Sequence, residues 1–417
     1  MSSLTSLIKR MQMSPWKLNR RILFGITGGI AAYKTPDILR GWIKEGCEVE
    51  VILTRSAEEF VSPLVLSTLT GRKVWLEKDF LSAEEGWKIP HITLTDWAEV
   101  FVIAPCTANV LSMCAHGDGS TLLGAAMLAN RSPLVIFPAM NSNMLQNIAV
   151  KANIDRITAM GHTVVDPDSG MLACGYEGKG RLPDNSVIYE HVWNALSPKK
   201  DLKGMKVLVT AGPTHEYIDP VRYIGNPSSG KMGYAIARAA WYRGAEVTLV
   251  SGPVSIPRPE GVRVIDVVSA EQMYEACINA APEMDIIIKA AAVGDFRAEK
   301  ETKQKLKRKE GESLTVTFVQ NRDIAAELGR MKKEGQMLIG FAAETEDLIA
   351  NAKKKMIAKN LDMIACNDVL ASNSGFKSDT NTLMIMINDG PEVEFSGTKD
   401  DVADSLLDAV IRKKNKE

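Results

Sequence analysis

Three side chains in the first half of the chain are of types that could do chemistry. His91 is a base, Asn141 carries an amide and Cys174 carries a thiol. Cys174 lies in "DPDSGMLACGYEGKGRLPD", where four glycines and two prolines predict a surface loop instead of the buried position that is usual for a thiol. Each residue has an ordinary explanation, as a surface histidine, a helix cap and an apolar filler. Their common placement in loops and at strand ends indicates a site.

The second half carries a different set of polar residues. The stretch "AAAVGDFRAEKETKQKLKRKEGE" places Asp295 after an apolar strand and continues with a dense run of lysines, among them Lys305 and Lys307. Lysines beside a strand end can close over a triphosphate and neutralise the charge that develops during its transfer. A solvated charged loop is the alternative. Nucleic-acid binding is disfavoured, because no aromatic residues are interleaved with the lysines.

The stretch "GNPSSGKM", residues 225–232, nearly matches the phosphate-binding pattern GxxxxGK[ST]. Met232 occupies the position of the hydroxyl that would hold Mg²⁺, and the stretch does not directly follow its strand, so a true P-loop is not expected. Ser228 and Ser229 precede a predicted helix, whose first backbone N–H groups have no partner within the helix. This turn is therefore suited to receiving an anion.

Strand, turn and helix patterns place these residues near the carboxyl ends of strands. "RILFGITGGIAAYKTPDILRGWIKEGCEVEVILT" predicts a strand, a tight turn at Gly28-Gly29, a helix and a second strand. The second half repeats this plan, with a long insertion between its first strand and its first helix, and "TLMIMINDGPEVEFSG" predicts a late antiparallel hairpin. An α/β fold with two Rossmann-like domains is therefore predicted, and open sheets of this kind bind ligands at the carboxyl ends of their strands.

The domain boundaries follow from chain length and from one linker. A chain of 417 residues exceeds what one hydrophobic core usually serves. A helical pattern ends at Ser197-Pro198 and runs into a short charged link. We predict an N-terminal extension at residues 1–19, a first domain at 20–195, a linker at 196–204 and a second domain at 205–417.

Composition excludes several classes of protein. The formal net charge of −1 argues against a protein that coats nucleic acid or an anionic membrane. The six cysteines are scattered without a CxxC pair, which argues against a zinc site and a disulfide framework and predicts a reducing, cytoplasmic location. No run of about 18 apolar residues occurs, so a membrane span is not expected.

The first strand–turn–helix unit favours a mononucleotide. Gly28 and Gly29 let backbone N–H groups approach a phosphate, but "GITGGIAA" is not GxGxxG. The second strand ends in Thr54-Arg55-Ser56, where a dinucleotide site has an acidic residue for the ribose. Hydroxyls and a guanidinium suit a phosphate, so FMN is favoured over NAD. A dehydrogenase with two Rossmann-like domains is the alternative.

The first half resembles the flavin-dependent phosphopantothenoylcysteine decarboxylases. The motifs "GITGGIAAYK", "HITL", "APCTAN", "PAMN" and "GMLACGYEGKGR" occur in that family's order and spacing. The resemblance implies a flavodoxin-like flavoprotein domain, in which FMN oxidises the thiol-bearing carbon so that carbon dioxide leaves readily. It implies that His91 is the active-site base, that Asn141 binds the substrate carboxylate, and that Cys174 donates a proton from a closing flap. It also implies cofactor contacts at Gly28, Gly29, Thr54, Thr107, Ala108 and Asn109.

The second half resembles the phosphopantothenate–cysteine ligases. "TAGPTHEYIDPVRYIGNPSSGKMG", "AAVGDFR", "KLKR", "NRDI", "GFAAET" and "KNLDMIACNDV" follow that family's order, with Arg322 where the family generally has proline. The resemblance implies that CTP activates the carboxylate of 4′-phosphopantothenate as an acyl-cytidylate and that the amine of cysteine then attacks it. Asn226 would steady the acyl-cytidylate and Arg222 would assist its capture by cysteine. Nucleotide contacts, with Mg²⁺ at the phosphates, are implied for Asp295, Lys305, Lys307, Phe341, Lys355 and Lys359.

Together the halves resemble, over roughly residues 20–412, the bifunctional proteins of bacterial coenzyme A biosynthesis. In that family the product of the ligase domain is the substrate of the decarboxylase domain. The resemblance implies a homo-oligomer, such as a dodecamer, with flavin sites between subunits of a trimer and with paired ligase domains. The partners expected are small molecules, with no nucleic acid and no membrane. A flavin-binding regulatory protein without decarboxylase activity is the remaining alternative, and the presence of His91, Asn141 and Cys174 argues against it.

Overall fold

The structure consists of two compact units, Met1–Pro198 and Lys199–Glu417. It is a computed structural model that describes residues 15–171, 175–307, 314–344, 348–368, 380–388 and 392–415. Cys174 and residues 1–14 of the predicted N-terminal extension lie outside the described residues. None of the helices in the described ranges is long and apolar enough to cross a membrane.

The first unit alternates strands and helices along the chain. Its described strands are β1 (Arg21–Ile26), β2 (Glu48–Leu53), β3 (Val74–Leu76), β4 (Val100–Cys106), β5 (Leu134–Pro138), β6 (Thr163–Val164), β7 (Asp168–Met171) and β8 (Glu177–Arg181). Its described α-helices are α1 (Thr35–Lys44), α2 (Pro63–Thr70), α3 (Glu77–Phe80), α4 (Pro90–Trp97), α5 (Ala108–His116), α6 (Leu122–Ala129), α7 (Ser142–Gln146), α8 (Ile148–Ala159) and α9 (Asn185–Leu196).

Strands β1 to β6 form one parallel sheet in the order β3-β2-β1-β4-β5-β6, and β7 and β8 form a separate antiparallel hairpin. This is the strand order of the Rossmann fold, so the prediction of a Rossmann-like α/β domain is confirmed. A flavodoxin-like sheet has the order 2-1-3-4-5 instead. The observed order differs from the flavodoxin-like one because β3 extends the sheet beyond β2. The chain crosses to the other side of β1 only before β4. The switch point therefore lies between β1 and β4.

Helices cover both faces of this sheet, because successive strand residues point to opposite sides. Leu23 and Phe101 belong to the core under α4, α5, α6 and α8. On the other face Phe24 packs edge to face against Trp42 of α1, with ring centroids 5.2 Å apart, and Tyr189 of α9 lies next to Trp42. Both faces of β1 and β4 are thus buried, so a polar ligand can contact these strands only at their ends.

His191 of α9 gives the first unit a pH-dependent stability. Its ring packs against Phe137 of β5, with 6.1 Å between the centroids. Burial lowers the pKa of His191 from 6.5 to about 4, because the charged imidazole is poorly hydrated there. The unfolded chain binds the proton more readily, so the stabilisation is complete above pH 6.5 and is lost as the pH falls towards 4. At about 1.4 kcal/mol per pKa unit, the expected loss of unfolding free energy is about 3 kcal/mol.

Urea unfolding of the full chain at about pH 7 and about pH 4.5, followed by tryptophan fluorescence, measures this loss. Fluorescence reports mainly on the first unit, because Trp241 is the only tryptophan after residue 198. His191→Phe keeps an aromatic ring and removes the titration, so its stability should vary less with pH than that of the wild type. The same pH dependence in both proteins would show that His191 is not the source.

The second unit contains a larger sheet. Its described strands are β9 (Lys206–Ala211), β10 (Glu216–Asp219), β11 (Arg222–Ile224), β12 (Glu246–Ser251), β13 (Val262–Asp266), β14 (Ile286–Lys289), β15 (Phe296–Ala298), β16 (Phe318–Gln320), β17 (Met337–Glu344), β18 (Met363–Asp368), β19 (Thr380–Ile387) and β20 (Val393–Thr398). Its described α-helices are α10 (Lys231–Tyr242), α11 (Ala270–Ala280), α12 (Ile324–Met331), α13 (Leu348–Ala358) and α14 (Lys399–Lys414).

The large sheet has the order β13-β12-β9-β14-β17-β18-β19-β20. In this order the first six strands, β13, β12, β9, β14, β17 and β18, run parallel to one another. Strand β19 pairs antiparallel with both β18 and β20, which confirms the predicted late hairpin. One face packs against α10 and α14, and the other packs against α11, α12 and α13. Two small antiparallel pairs, β10 with β11 and β15 with β16, lie outside this sheet, and β10 and β11 belong to the predicted insertion.

Candidate functional site

A cavity of about 700 Å³ lies at the carboxyl ends of β1, β4 and β5 in the first unit. Its position at the switch point of the sheet and its volume are typical of small-molecule sites in open α/β folds. Five residues predicted from the sequence line it, namely Gly28, Gly29, Thr107, Ala108 and Asn141. The structure therefore brings together most of the predicted cofactor contacts and the predicted carboxylate ligand.

The loops after β1 and β2 lie directly against each other. A Cβ atom at Gly28 would lie 2.3 Å from the Cβ of Ser56, so no side chain fits there. Thr54, at the end of β2, has a buried hydroxyl without a hydrogen-bond partner among the residues that the structure describes. A buried hydroxyl of this kind calls for an acceptor from a ligand or water. Asn109, by contrast, is exposed and does not line the cavity.

Thr27 joins the loops after β1 and β4, and sequence reasoning did not identify it. Its buried Oγ1 donates to the carbonyl of Pro105 at 2.7 Å and accepts from the N–H of Thr107 at 3.0 Å. The position of Thr107 in the cavity is thus fixed by a side chain 80 residues earlier in the chain. A threonine at the end of an apolar strand is a weak sequence signal, because β-branched residues are common there in any case.

The predicted flap is a β-hairpin. Met171 at the end of β7, and Gly180 and Arg181 in β8, line the cavity. Cys174 belongs to the connection between these strands and lies outside the described residues, so its role as a proton donor stays a prediction. The glycine-rich composition predicted a mobile loop, whereas the described flanks are paired strands.

Asn141 lies between the cavity and this hairpin. Its Oδ1 accepts a hydrogen bond from the N–H of Asn143 at 2.9 Å and so caps α7. The N–H of the preceding Met140 donates to the carbonyl of Gly180 at 3.0 Å. Asn141 therefore combines the two readings of the sequence, a helix cap and a residue that lines the site.

His91 lies in the first turn of α4 and does not line the cavity of its own chain. Sequence reasoning placed His91 with residues in loops and at strand ends, but Pro90 starts a short helix there. Nδ1 of His91 is buried and has no hydrogen-bond partner in the described ranges, and the Phe80 ring packs against the imidazole at 5.5 Å. Ile89 has a φ of 50°, which is unfavourable for a β-branched residue and marks a constrained segment.

A second pocket, of about 520 Å³, lies in the second unit before α10. Its lining includes residues 225–229, together with His215 and Tyr223, whose rings stack at 3.7 Å. Burial lowers the pKa of His215, against an opposing effect of Glu216. The loop and the N-terminus of α10 offer backbone N–H groups and hydroxyls, as the sequence predicted for an anion. Nδ2 of Asn226 donates to the carbonyl of Val293 at 3.1 Å and thereby joins this loop to the one after β14.

Asp219 holds the predicted lysine segment and Arg222 in place, and sequence reasoning missed it. This buried carboxylate accepts hydrogen bonds from the N–H groups of Val221, Arg222 and Leu306, at 2.8, 2.9 and 3.2 Å. Burial raises the pKa of Asp219, but these donors and the Arg222 guanidinium outweigh it, and the pKa lies below its ordinary value. Leu306 stands between Lys305 and Lys307, which are both exposed. The turn residues of "IDPVR" could have indicated a local cap, but they carry no signal for the link to residue 306.

Asp295 lies on the loop after β14 and is exposed. Its carbonyl accepts from the N–H of Asn321 at 2.8 Å, and Nδ2 of Asn321 donates to the carbonyl of Gly294 at the same distance. These bonds join the Asp295 loop to the loop before α12. Because Asn226 bonds to Val293 in the same loop, Asn226 and Asp295 lie on connected segments.

The remaining predicted nucleotide contacts lie on two faces of the sheet. Lys359, just after α13, forms an ion pair with Asp323 at 2.9 Å, and Lys355 is on the exposed side of α13. Phe341 packs against the core under α10 and α14, whereas α13 packs on the opposite face. The structure therefore does not place Phe341 beside the lysines of α13.

Two family models match the chain. The flavoprotein family matches residues 12–197. The C-terminal domain family of DNA/pantothenate metabolism flavoproteins matches residues 202–413. The two matches together span nearly the whole chain and divide it between its two structural units.

Several curated proteins are similar over almost their full length. The chain is 40% identical to the coenzyme A biosynthesis bifunctional protein CoaBC of Vibrio cholerae over 93% of this chain and 97% of that one. It is 44% identical to the protein of the same name from Bacillus subtilis, over 90% and 92% of the two chains. The identity to that of Escherichia coli K12 is 40%, over 94% and 97%.

Proposed function

The chain belongs to the family of coenzyme A biosynthesis bifunctional proteins, and from this membership we propose the reaction of each unit. It is a bifunctional enzyme with a flavoprotein decarboxylase domain and a ligase domain. We propose that residues 205–417 join 4′-phosphopantothenate to cysteine with CTP. Residues 20–195 then decarboxylate the product, 4′-phosphopantothenoylcysteine, to 4′-phosphopantetheine with FMN. The observation that carries this proposal is the similarity over both domains in one chain.

For ligation, the loops around α10 and β14 supply the groups that the reaction needs. The turn before α10 binds the phosphate of 4′-phosphopantothenate through backbone N–H groups and serine hydroxyls. Asn226 orients the acyl-cytidylate, and Arg222 assists its capture by the cysteine amine. Lys305 and Lys307 neutralise the phosphates as pyrophosphate leaves. The hydrogen bonds of Asp219 support these roles, because they hold Arg222 and the lysine segment together.

In this proposal the Mg²⁺ ion is bound mainly by the phosphates of the nucleotide. Mg²⁺ is usually bound through phosphate oxygens and a few carboxylates, and it keeps several waters. Within the described ranges, no group of three or more histidine, cysteine, aspartate or glutamate side chains could hold a metal ion. Asp295, Lys355, Lys359 and Phe341 are the proposed contacts to the nucleoside and its phosphates.

For decarboxylation, the cavity of the first unit fits FMN. Its volume of about 700 Å³ and its position at the switch point suit a mononucleotide. Gly28, Gly29, Thr107 and Ala108 line the space, and the unpartnered hydroxyl of Thr54 supports a polar ligand nearby. When bound, FMN supplies the oxidation of the substrate carbon and its later reversal. Asn109 is retained as a proposed contact, although it lies outside the cavity of one chain.

The residues of the chain handle the carboxylate and the protons. Asn141 binds the substrate carboxylate at the cavity wall and orients it for loss as carbon dioxide. His91 accepts a proton at its imidazole, and Cys174, which lies between β7 and β8 in the sequence, returns one during the reductive step. The hairpin also excludes water when it covers the substrate.

We propose that a second copy of the chain completes this site. His91 does not line the cavity of its own chain, and exposed apolar residues surround both places. Leu81 and Trp87, near His91 in the chain, are 87% and 73% exposed, and Ile30 and Tyr33, at the cavity, are 58% and 63% exposed. Such patches are typical of subunit interfaces. The proposed assembly is a homo-oligomer, with a dodecamer as the form that the family resemblance implies, and the exposed apolar residues support contacts between subunits.

Mass spectrometry of products tests the proposal directly. Purified protein receives 4′-phosphopantothenate, cysteine and Mg²⁺, with CTP and in parallel without it. CTP-dependent 4′-phosphopantetheine together with CMP supports both reactions. Accumulation of 4′-phosphopantothenoylcysteine would instead favour a flavin-binding regulatory unit, and the absence of any product would overturn the proposal.

The described cysteines are all free thiols, which supports the proposed cytoplasmic location.

A further inference from the structure

Arg322 lies on the loop before α12, and no role proposed so far involves it. Its guanidinium stacks on the ring of Tyr274 in α11, with 4.2 Å between Cζ and the ring centroid. Nε and Nη2 of Arg322 donate to the two carboxylate oxygens of Glu271 in the first turn of α11, with Nε 3.2 Å from Oε2. A planar guanidinium that is held by a ring and a carboxylate together has a defined orientation. Arg322 therefore docks its loop onto α11 in one geometry.

Helix α11 is a rigid support for this contact. Oε1 of the buried Glu216 accepts a hydrogen bond from the first backbone N–H of the helix, at 2.9 Å. Met273 and Cys277 of α11 are fully buried in the core that this helix shares with α12 and α13. Because close-packed side chains leave little room for movement, Glu271 and Tyr274 are held in fixed positions relative to the sheet.

The two residues beside Arg322 connect the same loop to the proposed ligase site. The N–H of Asn321 donates to the carbonyl of Asp295 on the loop after β14, and its Nδ2 donates to the preceding carbonyl, both at 2.8 Å. Asp323 caps α12 through Oδ1 and pairs with Lys359 through Oδ2 at 2.9 Å. These three consecutive residues thus join the loop after β14, α11, α12 and the end of α13.

An exposed ion pair usually contributes little to the free energy of unfolding. Arg330 and Glu327, one turn apart in α12, form such a pair within a single helix. The contact of Arg322 differs from it, because the carboxylate is 51 residues away in the chain and an aromatic ring supports the guanidinium. A contact of this kind can set the position of a loop even where it adds little to overall stability.

We propose that Arg322 is a positioning residue of the ligase reaction, which acts through Asn321 on the loop that carries Asp295. This rests on the proposed function of the second unit. With Arg322 docked on α11, Asn321 holds the backbone of the Asp295 loop from one side by two hydrogen bonds. Without that dock the loop occupies its binding-competent position for a smaller fraction of the time, and the apparent affinity for the nucleotide falls by that fraction.

A double-mutant cycle in the full-length protein tests this role. We expect Arg322→Gln and Glu271→Gln each to raise the Michaelis constant for CTP about fivefold, because each breaks the dock on α11. The double variant should resemble either single variant, since both substitutions remove the same contact. The Michaelis constant for cysteine should change by less than about twofold in all three variants.

Arg330→Gln is the matched control, because Arg330 pairs with Glu327 of its own helix. It should use CTP as the wild type does. If Arg322→Gln were impaired while Glu271→Gln was normal, or if their effects multiplied in the double variant, Arg322 would not act through this contact and the proposal would be wrong.

Thermal unfolding separates positioning from a purely structural role. The melting temperatures of the variants should stay within about 2 °C of the wild type, because the contact is on the surface. A lower melting temperature of Arg322→Gln with an unchanged Michaelis constant for CTP would show a purely structural contact and overturn the proposal. If the wild type itself makes no product with CTP, the proposed function fails, independently of every variant.

Discussion

A His91→Asn variant is expected to decarboxylate 4′-phosphopantothenoylcysteine about 10²- to 10⁴-fold more slowly than the wild type, the usual contribution of a general base. Asparagine keeps a polar side chain of similar reach but cannot take up a proton. Nδ1 of His91 is buried and has no hydrogen-bond partner among the described residues. Ligation should be unchanged, because His91 belongs to the first unit. Production of 4′-phosphopantetheine and release of pyrophosphate measure the two rates separately.

His116→Asn is the matched control for this variant. His116 is an exposed histidine in the last turn of α5, and its Nδ1 lies 2.9 Å from the carbonyl of Ser112. It should decarboxylate at the wild-type rate. If His91→Asn did the same, the assignment of His91 as the base would be wrong.

Mixed oligomers show whether His91 acts within its own chain. Chains with His91→Asn are co-expressed with chains with Asn141→Ala, which removes a group that lines the cavity. Mixed oligomers should recover part of the activity, since some sites then combine an intact His91 from one copy with an intact cavity from another. No recovery, with mixed oligomers present, would place the complete site in one chain.

An Asp219→Asn variant is expected to lose about 10²-fold of its ligation rate, because small displacements of positioned groups have effects of that size. Its carboxylate accepts from the N–H groups of Val221, Arg222 and Leu306, and an amide has one acceptor oxygen where the carboxylate has two. Arg222 and the two lysines beside Leu306 would then lose their common anchor. The Michaelis constant for CTP should rise together with the fall in turnover, and both are measured by pyrophosphate release.

Asp266→Asn is the control for Asp219. Asp266, at the end of β13, is exposed and pairs with Arg258 at 2.5 Å, so its replacement should leave ligation unchanged. Decarboxylation of added 4′-phosphopantothenoylcysteine should be normal in both variants. Normal ligation kinetics in Asp219→Asn would mean that the hairpin and the lysine segment keep their positions without this carboxylate.

The sequence predicted the elements and the ligand edge because the signals are local. Apolar runs and glycine turns identified β9, α10 and the late hairpin, and strand ends identified the cavity residues Gly28, Thr107 and Asn141. The crossing point before β4 was not predictable, since the order of parallel strands depends on contacts between distant segments. The short helix at His91 was not predicted for a related reason, because the residues around Pro90 can begin a helix as readily as a turn.

Sequence reasoning did not identify the residues that hold distant segments of the chain in place. Thr27, Asp219 and Asp323 each hold a segment far along the chain, and their types are common in loops and strand ends. What distinguishes them is burial, which a single sequence does not reveal for one polar residue. For Phe341 the motif predicts a nucleotide contact but not the face of β17 that carries its ring, and the ring packs against the core under α10 and α14.

The order of β9 and α14 in the chain has a consequence for synthesis on the ribosome. β9 is the first strand of the second unit to emerge, yet it lies within the sheet between β12 and β14, and its neighbouring helix α10 is covered by α14, which emerges last. The side of α10 that α14 covers, marked by the ion pair between Arg238 and Asp400, therefore stays uncovered until translation is nearly complete. The first unit can fold as soon as its own residues have left the exit tunnel. A chain that stalls before α14 would carry one folded domain and one incomplete domain with exposed apolar surface. Chaperones and proteases would act on the chain in this state.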